Sequence, residues 1–252
     1  MVNSAQKNRR ALTHARSQGE MSGVVAGVDG CRGGWLAVRL DLADARVTSA
    51  LYPDWPALAQ ALSGMARICV DMPIGLAEIG ARPCDQAARA LLPRWRKPSV
   101  FAPPRRYMLR LDFEAVRAAA RTRGDAGLSI QAFNIMPKIA DLDAALSPSD
   151  QEQVLEAHPE LAFQRLNGGA ALPRKADRAG RTVRRDLLVS AGLSEIDGLL
   201  SAHPRSQAKM DDVLDAGVCA LVARDQLAGR ARRVPETTPD RDARGLRMEI
   251  WY

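Results

Sequence analysis

Apolar positions along the chain fall first into short runs and then into helical spacings. The run at 24–28 ends in Asp29-Gly30 and predicts a buried first strand. The turn Gly30-Cys31-Arg32-Gly33-Gly34 follows, and 35–40 and 46–51 predict two more strands, joined most economically by hairpins. Trp55, Leu58, Ala59 and Leu62 recur at helical spacing, and 67–70 is another apolar strand, ending at Asp71. Pro73 and Gly75 stop that strand. The stretch 80–130 is rich in Arg and Pro, with helical pieces at 84–92 and 112–123, and reads as an insertion. Helix is expected at 135–146, up to the break at Ser147-Pro148, and a brief strand at 154–157. His158-Pro159-Glu160 then opens a helix through Leu166, with proline at a favourable first position. Further helices are expected at 182–191 and 207–228. In the latter, Met210, Val213, Leu214, Gly217, Val218 and Leu221 share one face. A polar linker at 229–244 leads to a final strand at 246–252, free to pair with a partner's edge. Hairpin-linked strands followed by strands alternating with helices predict an α/β fold with a mixed sheet.

Residues 1–20 lack this periodicity, which predicts a disordered tail ahead of one domain at 21–252, with Met21 a candidate start. No apolar run is long enough to span a bilayer, and the N-terminus has no signal-peptide core. Cys31, Cys69, Cys84 and Cys219 form no C-x-x-C pair, and with His14, His158 and His203 as the only histidines a zinc cage is not expected. Scattered thiols fit a reducing cytoplasm. The net charge of +7 suits a polyanionic partner such as nucleic acid, although an Arg-rich composition explains it equally well.

Candidate chemistry is carried by carboxylates. Asp29 and Asp71 each follow an apolar strand directly, and Glu156 lies at the end of a third. Parallel strands would bring all of them to one sheet edge, where sites form in open α/β sheets. On the late helix, Asp215 shares a face with Asp211 or Asp212. The helix macrodipole accounts for Asp211 near the N-terminus and leaves Asp215 unexplained. Gathered carboxylates repel unless a cation neutralises them, and hard oxygen ligands select Mg²⁺ or Mn²⁺. Asp29, Asp71, Asp212 and Asp215 are the expected metal ligands, with Asp29 bridging two ions in phosphodiester hydrolysis.

The segments GVDGCRGGW (27–35), VDMPIGL (70–76), CDQAARALL (84–92), SVFAPPRR (99–106), QAFNIMPKIADLD (131–143), EAHPELAF (156–163) and DDVLDA (211–216) occur in this order. Together they resemble the domain-of-unknown-function 429 family, described as predicted RNase H-like nucleases. The resemblance runs from about residue 23 to the C-terminus. It implies an RNase H-like fold and an acidic catalytic site at Asp29, Asp71, Glu156, Asp212 and Asp215. The D-x-x-D-A ending is also similar to that of Holliday-junction resolvases of the RuvC type, which favours Asp212 and Asp215 over Asp211.

Around these acids, Arg89, Arg105, Arg106, Lys138, Lys175 and Arg181 are candidates to grip phosphates of DNA or RNA, Lys138 foremost because lysines are scarce. His158 is a candidate for proton transfer, or else a helix-entry residue. Two other readings stand beside the nuclease. GVDGCRGGW is similar to the phosphate-binding hairpin of actin-like ATPases, whose turn amides hold phosphate oxygens, although no Walker A or G-x-G-x-x-G motif occurs. A non-catalytic nucleic-acid-binding module is the other, and the intact acids argue against it.

Overall fold

The computed structural model describes residues 23–252; the expected tail at 1–20 and the candidate start at Met21 lie outside the described residues. Strands β1 (Val24–Cys31), β2 (Gly34–Asp41) and β3 (Val47–Tyr52) form successive antiparallel hairpins. Helix α1 (Trp55–Leu62) crosses to β4 (Arg67–Asp71), which lies parallel to β1. The Asp54 side chain starts α1 by accepting a hydrogen bond from the Ala57 amide. Strand β5 (Val154–Glu156) extends the sheet parallel to β4, giving the order β3-β2-β1-β4-β5. The expected α/β mixed sheet is present, flanked among the described residues by eight α-helices.

Those helices are α1, α2 (Pro83–Leu91), α3 (Phe113–Arg123), α4 (Ile130–Ala145), α5 (Pro159–Leu166), α6 (Arg178–Ser190), α7 (Ile196–Leu199) and α8 (Met210–Leu227). Strand alternation divides them between two faces. Ala26, Val28, Trp35, Ile68 and Val70 pack with Trp55 and Leu58 of α1 and with Ile139 and Leu142 of α4. Val25, Leu36, Val38, Cys69 and Leu155 pack on the other face with Leu161 and Phe163 of α5, Leu188 of α6 and the length of α8. The stretch 80–130 supplies α2 and α3, and Val116 and Ala120 of α3 join Met108, Ala132 and Met136 in a small core of their own.

Two expectations are corrected. The apolar face foreseen on α8 is too narrow a description: every residue from Val213 to Ala223 is buried. The helix lies on β1 at Gly27, where an added Cβ would stand 2.0 Å from the Ala216 carbonyl oxygen and 2.1 Å from the Ala220 nitrogen. Only a residue without a side chain lets the helix backbone come this close. The final strand, read as free for a partner's edge, is β7 (Ile250–Trp251), and both of its sides are used within the chain. It pairs with β6 (Arg233–Val234), which lies in the stretch read as a linker, and bridges to Ala157 beyond β5. Apolar Val234 and Ile250 draw the two strands into the main core. Among the described residues, no helix is long and apolar enough to cross a membrane.

Candidate metal centre

The sheet register builds the site. Asp29 is the cross-strand partner of Asp71 where β1 and β4 run side by side. Both carboxylates leave the C-terminal part of the sheet on the face that carries α8. From that helix Asp215 closes the group: one ligand oxygen from each of Asp29, Asp71 and Asp215 lies within 4.8 Å of the others. Asp29 and Asp215 are buried and Asp71 is half-buried. Three hard oxygen donors held this close, and largely out of water, form a donor set suited to a divalent cation.

Electrostatics give the same picture. Burial, followed by the charges of Asp71, Asp215 and Asp212, pushes the Asp29 carboxyl well above its usual range. Asp71 is pushed up to about 8, by burial first and then by Asp215. Burial raises Asp215 as well, opposed by Lys175, whose Nζ stands 3.0 Å from Asp215 Oδ2. A single half-exposed ammonium therefore balances only part of the negative charge.

The remaining expected site residues divide clearly. Asp212 stands one turn before Asp215, outside the trio; its Oδ2 accepts the Lys209 amide at 2.8 Å and caps the helix. Glu156 reaches the same edge on the opposite face. Its register partner is Val70, one residue short of Asp71, so strand alternation turns it away from α8. Burial raises its carboxyl to about 7 against the pull of Arg82. That guanidinium meets Glu156 at 2.7 and 2.8 Å, and the Ile74 amide donates to it at 2.7 Å. Lys138 lies beside the β1 end, its Nζ 5.5 Å from the centroid of the Trp35 ring, and its stem sits where a Cβ on Gly30 would fall.

Several expected phosphate contacts are already engaged within the chain. Arg105 is buried against Asp125 at 3.5 Å, and Arg106 pairs with Glu78, Asp143 and Asp242. Arg181 donates to the carbonyls of Lys175 and Ala176 and so braces the loop that carries Lys175. Arg89 Nε donates to the Val100 carbonyl at 2.8 Å. His158 occupies the N-cap of α5, with Nε2 3.3 Å from the Ser99 carbonyl oxygen and Nδ1 buried with no partner among the described residues. Burial lowers its pKa, so the ring is neutral at pH 7.

A cavity of about 180 Å³ opens beside the trio, and Asp71, Asp215, Lys175 and His158 all line it. Its walls include residues that sequence reasoning missed. Arg82, 2% exposed, binds Asp85 as well as Glu156 and donates to the carbonyls of Ile74 and Gly75. Glu160 is held by Arg184 at 2.8 Å and Arg96 at 3.1 Å. The only sequence signal for these was the presence of Arg82 and Asp85 around Pro83 and of Glu160 after Pro159, at the starts of two helices.

A family model described as "Protein of unknown function (DUF429)" matches residues 27–240. The chain belongs to this family. Its span contains the whole trio and every wall residue named above. No curated protein and no solved structure matches the chain. The glycine-rich β1–β2 turn is packed against the protein: the Gly33 amide donates to the Gln207 carbonyl at 2.7 Å, and a Cβ there would meet Gln207 at 2.9 Å. That amide is spent, which removes a donor from the phosphate-binding hairpin of the actin-like alternative.

Proposed function

We propose that the chain is a divalent-metal-dependent hydrolase of phosphodiester bonds in nucleic acid, built on an RNase H-like sheet. The observation that carries this reading is the convergence of Asp29, Asp71 and Asp215 within 4.8 Å. Support for the sheet type comes from the three antiparallel strands followed by two parallel ones, with Asp29 and Asp71 on the central parallel pair and Asp215 on α8. Asp29, Asp71 and Asp215 would hold Mg²⁺ or Mn²⁺. The chemistry such ions supply is activation of water and neutralisation of charge on a phosphate oxygen.

The chain's own groups have defined parts. Lys175 offers a cation at the open side of the cavity, where a phosphate oxygen can replace part of its contact with Asp215. His158, neutral at pH 7, is placed to exchange a proton at the cavity wall. Glu156, tied to Arg82, positions the loop after Asp71 through the Ile74 amide. The +7 net charge favours a polyanionic substrate. Four buried, unpaired thiols suit a reducing compartment, so we assign the activity to the cytoplasm.

The test is calorimetry of Mn²⁺ binding to the full chain, to Asp29→Asn and to Asp215→Asn, followed by incubation with oligonucleotides. The wild type should bind saturably and cut only with metal, and both variants should do neither. Failure of the wild type to bind, even with oligonucleotide present, would overturn the reading.

A further inference from the structure

A trio of acids repels the polyanion it would cut, so the approach to the cavity needs positive charge. A second, open groove of about 570 Å³ adjoins it, and Val100, Phe101 and Gln131 line both. Its cations are Lys97 and Arg89, the latter with its Nε bonded to the Val100 carbonyl, and among the described residues no carboxylate lines it. Arg96, by contrast, is held by Glu160 at 3.1 Å and by the Leu172 carbonyl at 2.7 Å. The anchored Arg96 guanidinium lies 4.7 Å from the centroid of the Trp95 ring, which is 55% exposed. Trp95 is braced from one side, exposed, and flanked by Arg94 and Lys97, both also exposed.

We propose that this groove, with Trp95 two residues before the groove-lining Lys97 and stacked by the cavity-lining Arg96, is the track by which single-stranded nucleic acid enters the carboxylate cavity. The proposal rests on the hydrolase reading and names its substrate class. Positive side chains follow a phosphate backbone, and an exposed aromatic ring stacks on a base. In a duplex the base faces are already stacked on each other, so the ring selects an unpaired strand. Val100 and Phe101, shared by groove and cavity, carry the strand from one to the other.

The experiment uses the full chain in chelator, so that nothing is cut. Fluorescence anisotropy compares a labelled oligothymidylate of about ten nucleotides with a blunt duplex of equal length. The single strand should bind about ten-fold more tightly than the duplex, and Trp95→Ala should weaken it by roughly ten-fold. Lys97→Ala should lower the slope of log affinity against log salt by about 0.7. Equal binding of the duplex, or wild-type binding by both variants, would overturn the proposal. Mn²⁺ calorimetry separates the two readings, because Trp95 lies outside the trio and Trp95→Ala should bind metal as the wild type does. Metal binding and cleavage that ignore both substitutions sink the groove alone. Single-strand binding that depends on Trp95, in a chain that takes no metal, sinks the hydrolase and leaves the groove standing.

Discussion

At Asp29, Asp71 and Asp215 the fold holds charges where they repel, and this has a consequence in solution. A carboxyl whose pKa is raised by folding keeps its proton more firmly in the native chain than in the unfolded one. Between the ordinary value of 3.8 and about 8 for Asp71, the native state therefore binds more protons, and stability falls as pH rises. Without metal, the melting temperature should decline from pH 5 to pH 8, and Asp71→Asn should flatten the decline. A wild-type profile no steeper than the variant's would mean that the repulsion is absent. Asp212 makes the contrasting case. Asp212→Ala removes the capping bond to the Lys209 amide and should cost about 1 kcal/mol, measured by denaturant unfolding. Mn²⁺ affinity should stay within a few-fold of wild type, and its abolition would place Asp212 among the ligands.

At the scale of elements, the site depends on how closely α8 lies on β1. Gly27→Ala would drive a methyl group into the backbone at Ala216 and Ala220, neither of which can turn aside. The helix must move outward, carrying Asp215 with it. We expect a loss of about 3 kcal/mol by chemical denaturation, with Mn²⁺ binding weakened in parallel. An unchanged variant would mean that the contact is looser than 2.0 Å. This dependence was hidden in the sequence, where Gly27 is one more small residue in an apolar run. The hairpins, α1 and the two helices of the 80–130 stretch were legible because each declares itself locally through period or turn. The structure adds the caps, Asp54 and Asp112 accepting backbone bonds at the starts of α1 and α3 and Gly124 closing α3. Strand β6 was not legible, since two residues among polar neighbours carry no period.

At the scale of the whole molecule, Arg82 ties together parts of the chain far apart in sequence. It joins α2 to the end of β5 and to the loop after β4, with Asp85 and Glu156 both depending on it for neutralisation. Arg82→Met would leave two buried carboxylates without a countercharge, Glu156 keeping only the Ile74 amide, at an expected cost of about 3–5 kcal/mol in urea or thermal unfolding. A near-neutral result would show that water reaches Glu156 and Asp85.

Local pattern determined much of this protein: the strand and helix order, the mixed sheet, and the candidacy of Asp29, Asp71 and Asp215, each read from a strand end or a helix interior. Tertiary structure decided which acids meet. Register aligned Asp29 with Asp71 and set Glu156 one residue out of step, on the other face. Burial of α8 on all sides, the capture of Glu156 by Arg82 and the pairing of β7 with β6 are likewise contacts between distant segments. The physical reason is that periodicity records which side of an element is apolar, while register and partner choice depend on the fit between surfaces that meet only when the chain has folded.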